Sequence, residues 1–449
     1  MNRLGVFQRV SLLGFIGIVL CIATAANVAK AGKTFRLKVV TDRSDAIYQT
    51  NGTAKFLITV TDGESIVTKG HVSYVVDEFL PKSVSSKKLP SGKLQLGRGA
   101  AVSVTSSRAG FLRCRVTFVK PDKKRLRATA GAAFAPLKIR PSLPVPDDFD
   151  TFWKQQKAQL SKVPMDARLT PVAQKNAKLD CFDVQVKCLG GAPVSGYLAK
   201  PKKAKAKSLP AILWVHGAGV RSSSLPNAIK GAQAGMLSMD INAHGIPNGK
   251  PRGFYRAQSS GPLRNYPRAG RTSRDTIYFR GMYLRLVRAI DFLTAQPEWD
   301  GKVVAVIGHS QGGGQALVAG GIDARVTMIA TGVPAICDHS GRMAGRVNGW
   351  PKLVPNGANG KPDKKILEAS RYMDAVNFAS RCRAEAIMSV GFIDAVCPPS
   401  SCYAAYNALQ GKKRVINEPL MGHAAPRRIQ DAFFKQIQKH IQKQKRKDP

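Results

Sequence analysis

One local pattern restricts the fold of this chain more than any other. Five consecutive apolar residues, 303–307, run directly into Gly308-His309-Ser310-Gln311-Gly312, and a stretch rich in glycine and alanine follows. A strand, a tight turn and a small-residue helix in this order are typical of a nucleophile elbow, which holds a serine hydroxyl at the carboxyl end of a parallel sheet. Because the turn is strained, its neighbours must be small. The pattern predicts that Ser310 is a nucleophile.

The chain on both sides of this motif alternates between two kinds of segment. Short apolar runs at 210–215, 235–241, 302–307, 326–331, 384–390 and 414–417 resemble buried strands, and helical patterns occupy 274–296, 311–320, 400–409 and 427 to about 443. Strands that alternate with helices form right-handed βαβ units around a mainly parallel sheet. We therefore predict an α/β-hydrolase fold in which helices flank a mainly parallel sheet.

Residues 33 to about 138 show a different pattern of apolar and polar residues. Apolar and polar residues alternate in 111–119, and similar short runs at 35–39, 55–60, 72–76 and 101–105 are separated by turn residues. Several short alternating strands predict a smaller all-β, sandwich-like domain. The predicted organisation is a signal peptide at 1–31, the β-sandwich-like domain at 32–138, a proline-rich linker at 139–146 and the catalytic domain at 147–449.

A serine hydroxyl becomes nucleophilic when a base removes its proton. In the predicted fold the partners follow in the order serine, acid, histidine. Of the histidines after Ser310, His339 comes too early in the chain and His440 lies in the amphipathic last helix, whereas His423 follows the last strand-like run. The sequence therefore predicts His423 as the base.

The acid should end the strand before this histidine. Asp394 does so, directly after the apolar run 387–393. A simpler interpretation is that Asp394 caps the next helix. Asp374 is a rival for the acid role, although it falls inside a helical pattern. We predict Asp394 as the acid.

The oxyanion that forms during ester hydrolysis also needs hydrogen-bond donors. The backbone N–H of Gln311 is one predicted donor, and the N–H of Ala218, in the loop after the run 210–215, is the other. Turn chemistry alone is the alternative explanation for His216-Gly217. The histidines are dispersed without metal-ligand spacing, so the sequence predicts neither a metal nor a cofactor.

The charge of the chain is unusual. Lysine and arginine number 70 against 28 aspartate and glutamate residues, which gives a net charge of +42. A surplus of this size often indicates a protein that binds nucleic acid. Here the basic residues are spread along the chain, and no nucleic-acid-binding signature accompanies them. We predict no nucleic-acid partner. An acidic polysaccharide or a cell envelope would be attracted by the same field.

The first residues have the features of an export signal. Arg3 and Arg9 bracket a short positive segment, residues 10–26 are almost wholly apolar, and Ala29-Lys30-Ala31 offers a small-residue cleavage site. This order predicts a cleaved signal peptide, a secreted or periplasmic protein and no stable membrane span after cleavage. An uncleaved signal anchor is the alternative. The seven cysteines beyond the leader are odd in number and scattered, which favours buried free thiols over a disulfide framework.

Beyond these local patterns, the chain resembles the acetyl xylan esterase and cephalosporin C deacetylase family over roughly residues 145–425. The likeness begins with Pro146-Asp147-Asp148-Phe149-Asp150 and is sharpest in Ser310-Gln311-Gly312-Gly313-Gly314 and in the segment 374–379. Cys397-Pro398-Pro399-Ser400 also matches. The resemblance implies a catalytic triad of Ser310, Asp394 and His423, the same residues that chain order predicts.

Two motifs depart from the family pattern. The Arg-Gly-Gln motif of the family aligns with Asn242-Ala243-His244, and its His-Glu pair is His423-Ala424 in this chain. Since the resemblance associates these elements with the family's hexamer and the shape of its site, the departures leave both the hexamer and the usual substrate open. The sequence does not determine the oligomeric state.

The predicted function is that of an exported serine carboxylesterase, which removes short acyl groups from an acetylated poly- or oligosaccharide through an acyl-enzyme. The acetyl group is implied by the resemblance. A serine peptidase of the oligopeptidase type shares the triad order and a β-rich front domain, but this front domain is too short for a propeller. An inactive hydrolase fold that binds polysaccharide is the other alternative, and the complete triad argues against it.

The export signal gives the first testable prediction. The mature protein should begin after Ala25, Ala26 or Ala31 and be found outside the cytoplasm, because signal peptidases cut after small residues that follow an apolar core. Amino-terminal sequencing of the protein from the producing cell tests this. An intact Met1 or Asn2 on cytosolic protein would contradict it.

Overall fold

The computed structural model describes residues 34–80, 89–357 and 360–446, so the predicted signal peptide lies outside the described residues. The amino-terminal β region contains two sheets. One has β1 (Phe35–Thr41), β3 (Thr53–Asp62), β4 (Ser65–Ile66) and β7 (Ala101–Thr105); the other has the order β2 (Ile47–Tyr48), β9 (Arg125–Phe134), β8 (Gly110–Val119), β5 (His71–Asp77) and β6 (Ser91–Gln95).

The two sheets enclose a shared apolar core. Along β8 apolar and polar residues alternate, so that Cys114 and Val116 face inward while Arg115 is exposed. Phe56 from the first sheet and Phe134 from the second are both fully buried in this core. The all-β architecture predicted from alternation is therefore present in this region.

The rest of the chain is organised around a nine-stranded sheet. Its order is β10 (Arg168–Pro171), β11 (Leu179–Val186), β12 (Val194–Pro201), β14 (Leu237–Ile241), β13 (Leu209–Val215), β15 (Trp299–His309), β16 (Met328–Gly332), β17 (Glu385–Gly391) and β18 (Lys413–Glu418). The strands from β14 to β18 pair in parallel, and β10, β11 and β12 extend the sheet with antiparallel pairs.

Helices cover both faces of this sheet. The helices are α1 (Phe149–Ser161), α2 (Leu225–Gln233), α3 (Arg252–Ser260), α4 (Tyr278–Thr294), α5 (Gln311–Ile322), α6 (Lys364–Arg371), α7 (Ala375–Ala379), α8 (Pro399–Ala408) and α9 (Arg427–Lys445). Phe434 of α9 stacks on Trp214 on one face, with 5.8 Å between the ring centres, and Leu286 of α4 belongs to the same buried apolar cluster as Leu213 on the other. None of the helices in the described ranges is both long and apolar enough to cross a bilayer.

The predicted α/β-hydrolase fold is confirmed. The six predicted strands of the parallel sheet are all present, with ends that differ by a few residues. Sequence analysis missed β2, β4, β6 and β9 in the amino-terminal region and the edge strand β10 of the nine-stranded sheet. The seven cysteines in the described part of the chain are buried and free, as expected.

The β region packs directly against the α/β part. The ring of Phe111 lies 5.1 Å from that of Phe392 and 5.5 Å from that of Tyr403. The backbone N–H of Gly131 in β9 donates to the carbonyl of Pro419 at 2.9 Å. A Cβ built on Gly131 would lie 2.6 Å from the Cβ of Phe392, a separation that real side chains do not tolerate. The two parts thus meet through a glycine that permits close backbone approach.

This contact gives a stability prediction. Gly131→Ala should lower the free energy of unfolding by about 1–3 kcal/mol, because the added methyl overpacks the contact with Phe392. Thermal unfolding measured by calorimetry tests it. Gly110→Ala is the matched control, since Gly110 lies in the same sheet and a Cβ there would meet nothing within 4 Å. Equal melting temperatures for the two variants would contradict the prediction.

Candidate active site

Ser310 lies in the turn between β15 and α5, where its backbone is strained. Its φ of 58° and ψ of −122° are unfavourable for a residue with a side chain. Hydrogen bonds hold this conformation: the Ser310 N–H donates to Gly332 at 2.8 Å, and the Ser310 carbonyl accepts from Ala335 at 2.9 Å and Gly314 at 3.0 Å. The Ser310 side chain is half-exposed at the carboxyl edge of the sheet.

The glycines of the turn are required by close backbone contacts. A Cβ on Gly308 would lie 2.5 Å from the carbonyl oxygen of Val215, and one on Gly312 would lie 2.2 Å from the same oxygen. Neither position has room for a methyl group. The small residues that the sequence analysis expected around the serine therefore let α5 begin directly against β13.

Three predicted side chains form a continuous hydrogen-bonded line. His423 Nε2 lies 3.0 Å from Ser310 Oγ, and His423 Nδ1 lies 2.8 Å from Asp394 Oδ2. The other carboxylate oxygen of Asp394 accepts the N–H groups of Val396 at 2.8 Å and Cys397 at 2.9 Å. Because Asp394 is fully buried, these bonds hold its carboxylate in one orientation toward the imidazole.

The loops that carry the acid and the histidine contact each other closely. Asp394 follows β17, and His423 lies between β18 and α9. A Cβ on Gly391, at the end of β17, would lie 2.4 Å from the carbonyl oxygen of Met421. The N–H of Ile393 also donates to that carbonyl at 3.2 Å. This backbone packing brings the two loops within hydrogen-bonding distance of each other.

Asp374 and His440 have other hydrogen-bond partners, whereas the buried ring nitrogens of His339 have none among the described residues. Asp374 precedes α7 rather than lying inside a helix, and its carboxylate accepts the N–H groups of Asp338, His339 and Val376. Burial raises the pKa of Asp374 to about 7, and the charge of Asp338 adds to this shift. His440 lies 3.2 Å from both Glu385 and Thr327. Burial lowers the pKa of His339 to about 3.

The predicted oxyanion donors lie on two segments next to Ser310. Gln311 is the first residue of α5. The N–H groups in the first turn of a helix have no acceptor within the helix and stabilise a negative charge placed next to them. The loop after β13 passes close by, since a Cβ on Gly217 would lie 3.4 Å from the Cβ of Ser310. Ala218 follows in this loop. The roles of the Gln311 and Ala218 N–H groups stay predictions.

A buried polar cluster behind this loop was missed by the sequence analysis. The Tyr266 hydroxyl donates to Gln311 Oε1 at 2.6 Å and accepts from the Gly219 N–H at 3.4 Å. His244 Nε2 lies 3.2 Å from the Gly219 carbonyl, and His244 Nδ1 lies 2.6 Å from the Tyr278 hydroxyl. The cluster thus connects the loop after β13 with the first residue of α5.

The protonation state of His244 follows from its surroundings. Burial lowers the pKa of His244 to about 4, partly offset by the bond to the Gly219 carbonyl. The imidazole is therefore neutral near pH 7 and carries one proton. That proton belongs on Nε2, which faces a carbonyl, while Nδ1 accepts from the Tyr278 hydroxyl. His244, one of the departures from the family pattern, is a donor to the loop.

Asn242, which belongs to the same departing motif as His244, shapes the turn that carries His244. Its side-chain oxygen accepts the N–H groups of His244 at 3.1 Å and Ile246 at 3.2 Å, and its amide nitrogen donates to the Ile246 carbonyl at 2.8 Å. Residues 242 and 244 therefore act together on the backbone beside the site.

Cys397 is a further neighbour of the three side chains. Within the described ranges, Asp394, Cys397 and His423 form a group whose possible ligand atoms lie within 4.8 Å of one another. Burial raises the pKa of the Cys397 thiol well above its usual range, so the thiol is protonated and neutral. Asp394 and His423 already bond to each other, which fits a proton-transfer arrangement.

The class of protein follows from these features. A parallel sheet, a strained serine at its carboxyl edge, and an acid and a histidine on the loops after β17 and β18 define an α/β hydrolase. A family model for acetyl xylan esterases matches residues 137–440. The acetyl esterase Axe7A of Xylanibacter ruminicola is 32% identical over 339 residues, which cover 74% of this chain and 75% of that protein. The chain belongs to the acetyl xylan esterase family and is therefore a carbohydrate ester hydrolase.

Solved structures agree with this assignment. The acetyl xylan esterase from Paenibacillus sp. R4 is 28% identical, with a TM-score of 0.58 over 67% of this chain and 97% of that one. Acetyl xylan esterase 1 from Thermoanaerobacterium sp. JW/SL YS485 is 22% identical, with a TM-score of 0.54 over 68% and 97% of the two chains, and shows the fold. The family resemblance predicted from the sequence is confirmed. The matched family segment begins at residue 137, after the β region.

Proposed function

We propose that this protein is an exported serine esterase that removes acetyl groups from carbohydrate. The observation that carries the proposal is the line of hydrogen bonds from Ser310 through His423 to buried Asp394, at 3.0 and 2.8 Å. Such a line is the arrangement by which a histidine base activates a serine. The acetyl group and the carbohydrate are suggested by the family and by the names of the relatives.

The first half-reaction forms an acyl-enzyme. Ser310 Oγ attacks the ester carbonyl while its proton passes to His423 Nε2, and Asp394 stabilises the imidazolium that results. The negative charge on the former carbonyl oxygen is received by the N–H groups of Gln311 and Ala218. The C–O bond to the sugar then breaks, and the sugar hydroxyl leaves with the proton from His423.

The second half-reaction releases the acid. A water molecule gives its proton to His423 and attacks the acetyl-enzyme, and the bond to Ser310 Oγ breaks as that oxygen takes the proton back. Acetate is the product. The half-exposed position of Ser310 lets both the sugar ester and the water reach it.

Replacing the nucleophile tests this mechanism. Ser310→Ala should lower kcat for acetylated xylo-oligosaccharides and p-nitrophenyl acetate by about a thousandfold or more, because the remaining groups cannot form the acyl-enzyme. Ser161→Ala, at the exposed end of α1, is the matched control and should keep full activity. More than about a tenth of wild-type activity in Ser310→Ala, with an unchanged melting temperature, would contradict the assignment.

A substrate panel tests the class of reaction. Acetyl esters of sugars and of p-nitrophenol should be hydrolysed faster than butyryl and longer esters, and peptide p-nitroanilides should not be cleaved. Cleavage of the anilides with no activity on acetylated sugars would instead indicate a peptidase.

The net charge of +42 generates a prediction about salt. An anionic polymer should be drawn to the surface, and this attraction weakens as ions screen it. We expect kcat/KM for an acetylated acidic polysaccharide to fall between about 0.05 M and 0.5 M salt by at least about threefold more than kcat/KM for a neutral acetyl ester. Equal responses would exclude the acidic polymer and leave the esterase assignment in place.

A further inference from the structure

Arg221 lies beside the nucleophile on the loop between β13 and α2. Its Nη2 donates to the carbonyl of Gly217 at 2.8 Å. A Cβ built on Gly217 would lie 3.4 Å from the Cβ of Ser310 and 3.7 Å from Nη2 of Arg221. The guanidinium of Arg221 and the side chain of Ser310 therefore both lie within 4 Å of the position that a Cβ on Gly217 would occupy. A substrate whose ester reaches Ser310 therefore lies near the guanidinium of Arg221.

The charge of Arg221 is not neutralised by a carboxylate. Within the described part of the chain, Arg221 forms no ion pair, in contrast to Arg274 with Asp148 at 2.6 Å and Arg346 with Asp338 at 2.8 Å. The buried Asp240 carboxylate instead accepts the N–H of Ser224 at 2.8 Å and the side-chain amide of Asn227 at 2.9 Å. The cation is available to a ligand.

The geometry of the guanidinium suits one type of ligand. Arginine has five N–H donors in a planar fork, and the bond to Gly217 uses one of them. Arg221 is exposed, so the remaining donors can reach a bound molecule. Such a fork binds a carboxylate through two parallel hydrogen bonds more effectively than a lysine does.

We propose that Arg221 determines substrate specificity by binding the carboxylate of a uronate unit while the acetyl ester on the same or the adjoining sugar lies at Ser310. The substrate class is thus an acetylated, uronate-containing oligosaccharide. This inference rests on the proposed ester hydrolysis. The proposal connects Arg221 with the net positive charge of the protein. The electrostatic field of the whole surface attracts an acidic polymer, and Arg221 orients that polymer at Ser310.

A purely structural role for Arg221 makes a different prediction. If its bond to Gly217 serves to hold the loop that carries Ala218, loss of the guanidinium should lower kcat for every ester by the same factor. Carboxylate binding, in contrast, affects a charged substrate more than a neutral one. The ratio of kcat/KM between two matched substrates separates these roles.

The experiment compares a mono-O-acetylated methyl galacturonoside with the acetylated methyl galactoside, in which CH₂OH replaces the carboxylate. In about 0.05 M salt we expect the wild type to prefer the uronate, and Arg221→Gln to lower this preference about fivefold, mainly through KM. Arg221→Lys should keep part of the preference, because it retains the charge without the fork. An unchanged preference in Arg221→Gln would overturn the proposal.

The matched control removes the same charge elsewhere. Arg168 is exposed on edge strand β10, which is separated from β15 by four intervening strands at about 4.8 Å per strand spacing. Arg168→Gln should leave the preference unchanged. An equal loss in Arg168→Gln and Arg221→Gln would show that net charge alone is responsible and would overturn the proposal.

Two further measurements keep the test decisive. If Arg221→Gln does not fold, deacetylated methyl galacturonoside should still inhibit wild-type hydrolysis of p-nitrophenyl acetate more strongly than methyl galactoside does, and equal inhibition would overturn the proposal. Activity that persists in Ser310→Ala would instead show that the proposed function fails. An inactive Ser310→Ala with an Arg221-independent preference would refute this inference alone.

Discussion

The backbone contact between the serine turn and strand β13 is the constraint on which the rest of the site depends. Gly308 and Gly312 both approach the carbonyl of Val215 so closely that a methyl group on either would clash. This contact fixes the start of α5 against the centre of the sheet and keeps Ser310 at positive φ. Strain of this kind persists only where the surrounding structure over-determines it. Here two hydrogen bonds do so: the Ser310 N–H donates to the Gly332 carbonyl, and the Ala335 N–H donates to the Ser310 carbonyl.

The same contact places the loop after β13 next to Ser310, and that loop needs support of its own. In this chain His244 and Tyr266 bond to the carbonyl and the N–H of Gly219, respectively. Tyr266 also bonds to the side chain of Gln311, so the two segments with predicted oxyanion donors share one polar cluster. Preorganised donors stabilise a developing oxyanion without having to reorient during the reaction.

The sequence predicted the elements whose signals are local. The parallel strands are continuous apolar runs because both of their faces are covered by helices, and the serine turn carries its own glycines. Strand β9 was missed because residues 128–134, which form most of it, are rich in alanine and glycine, and these residues have low strand propensity. Gly131 is explained by a contact with Phe392 that lies far away in the chain.

The polar cluster was missed for a similar reason. Tyr266 lies in the segment between α3 and α4, which shows no helical or strand periodicity, and no local pattern links it to Gln311. Chain order pointed to Asp394 and His423 because the fold restricts the acid and the base to the ends of particular strands, and the structure places both side chains in the hydrogen-bonded line with Ser310. Side chains that support these residues from irregular loops carry no such restriction. Their positions depend on tertiary contacts that a single sequence does not show.

The β region contacts the loops that carry Asp394 and His423, although it lies outside the segment that the family model matches. Phe111 packs on Phe392, two residues before Asp394, and Gly131 bonds to Pro419, four residues before His423. The proposed proton transfer from Ser310 to His423 tolerates little displacement, because misplacement of a catalytic group by about 1 Å can cost a hundredfold in rate. A contact that immobilises both loops from one side therefore acts on the geometry of the line itself. The β region is, in this physical sense, part of the framework that holds the site.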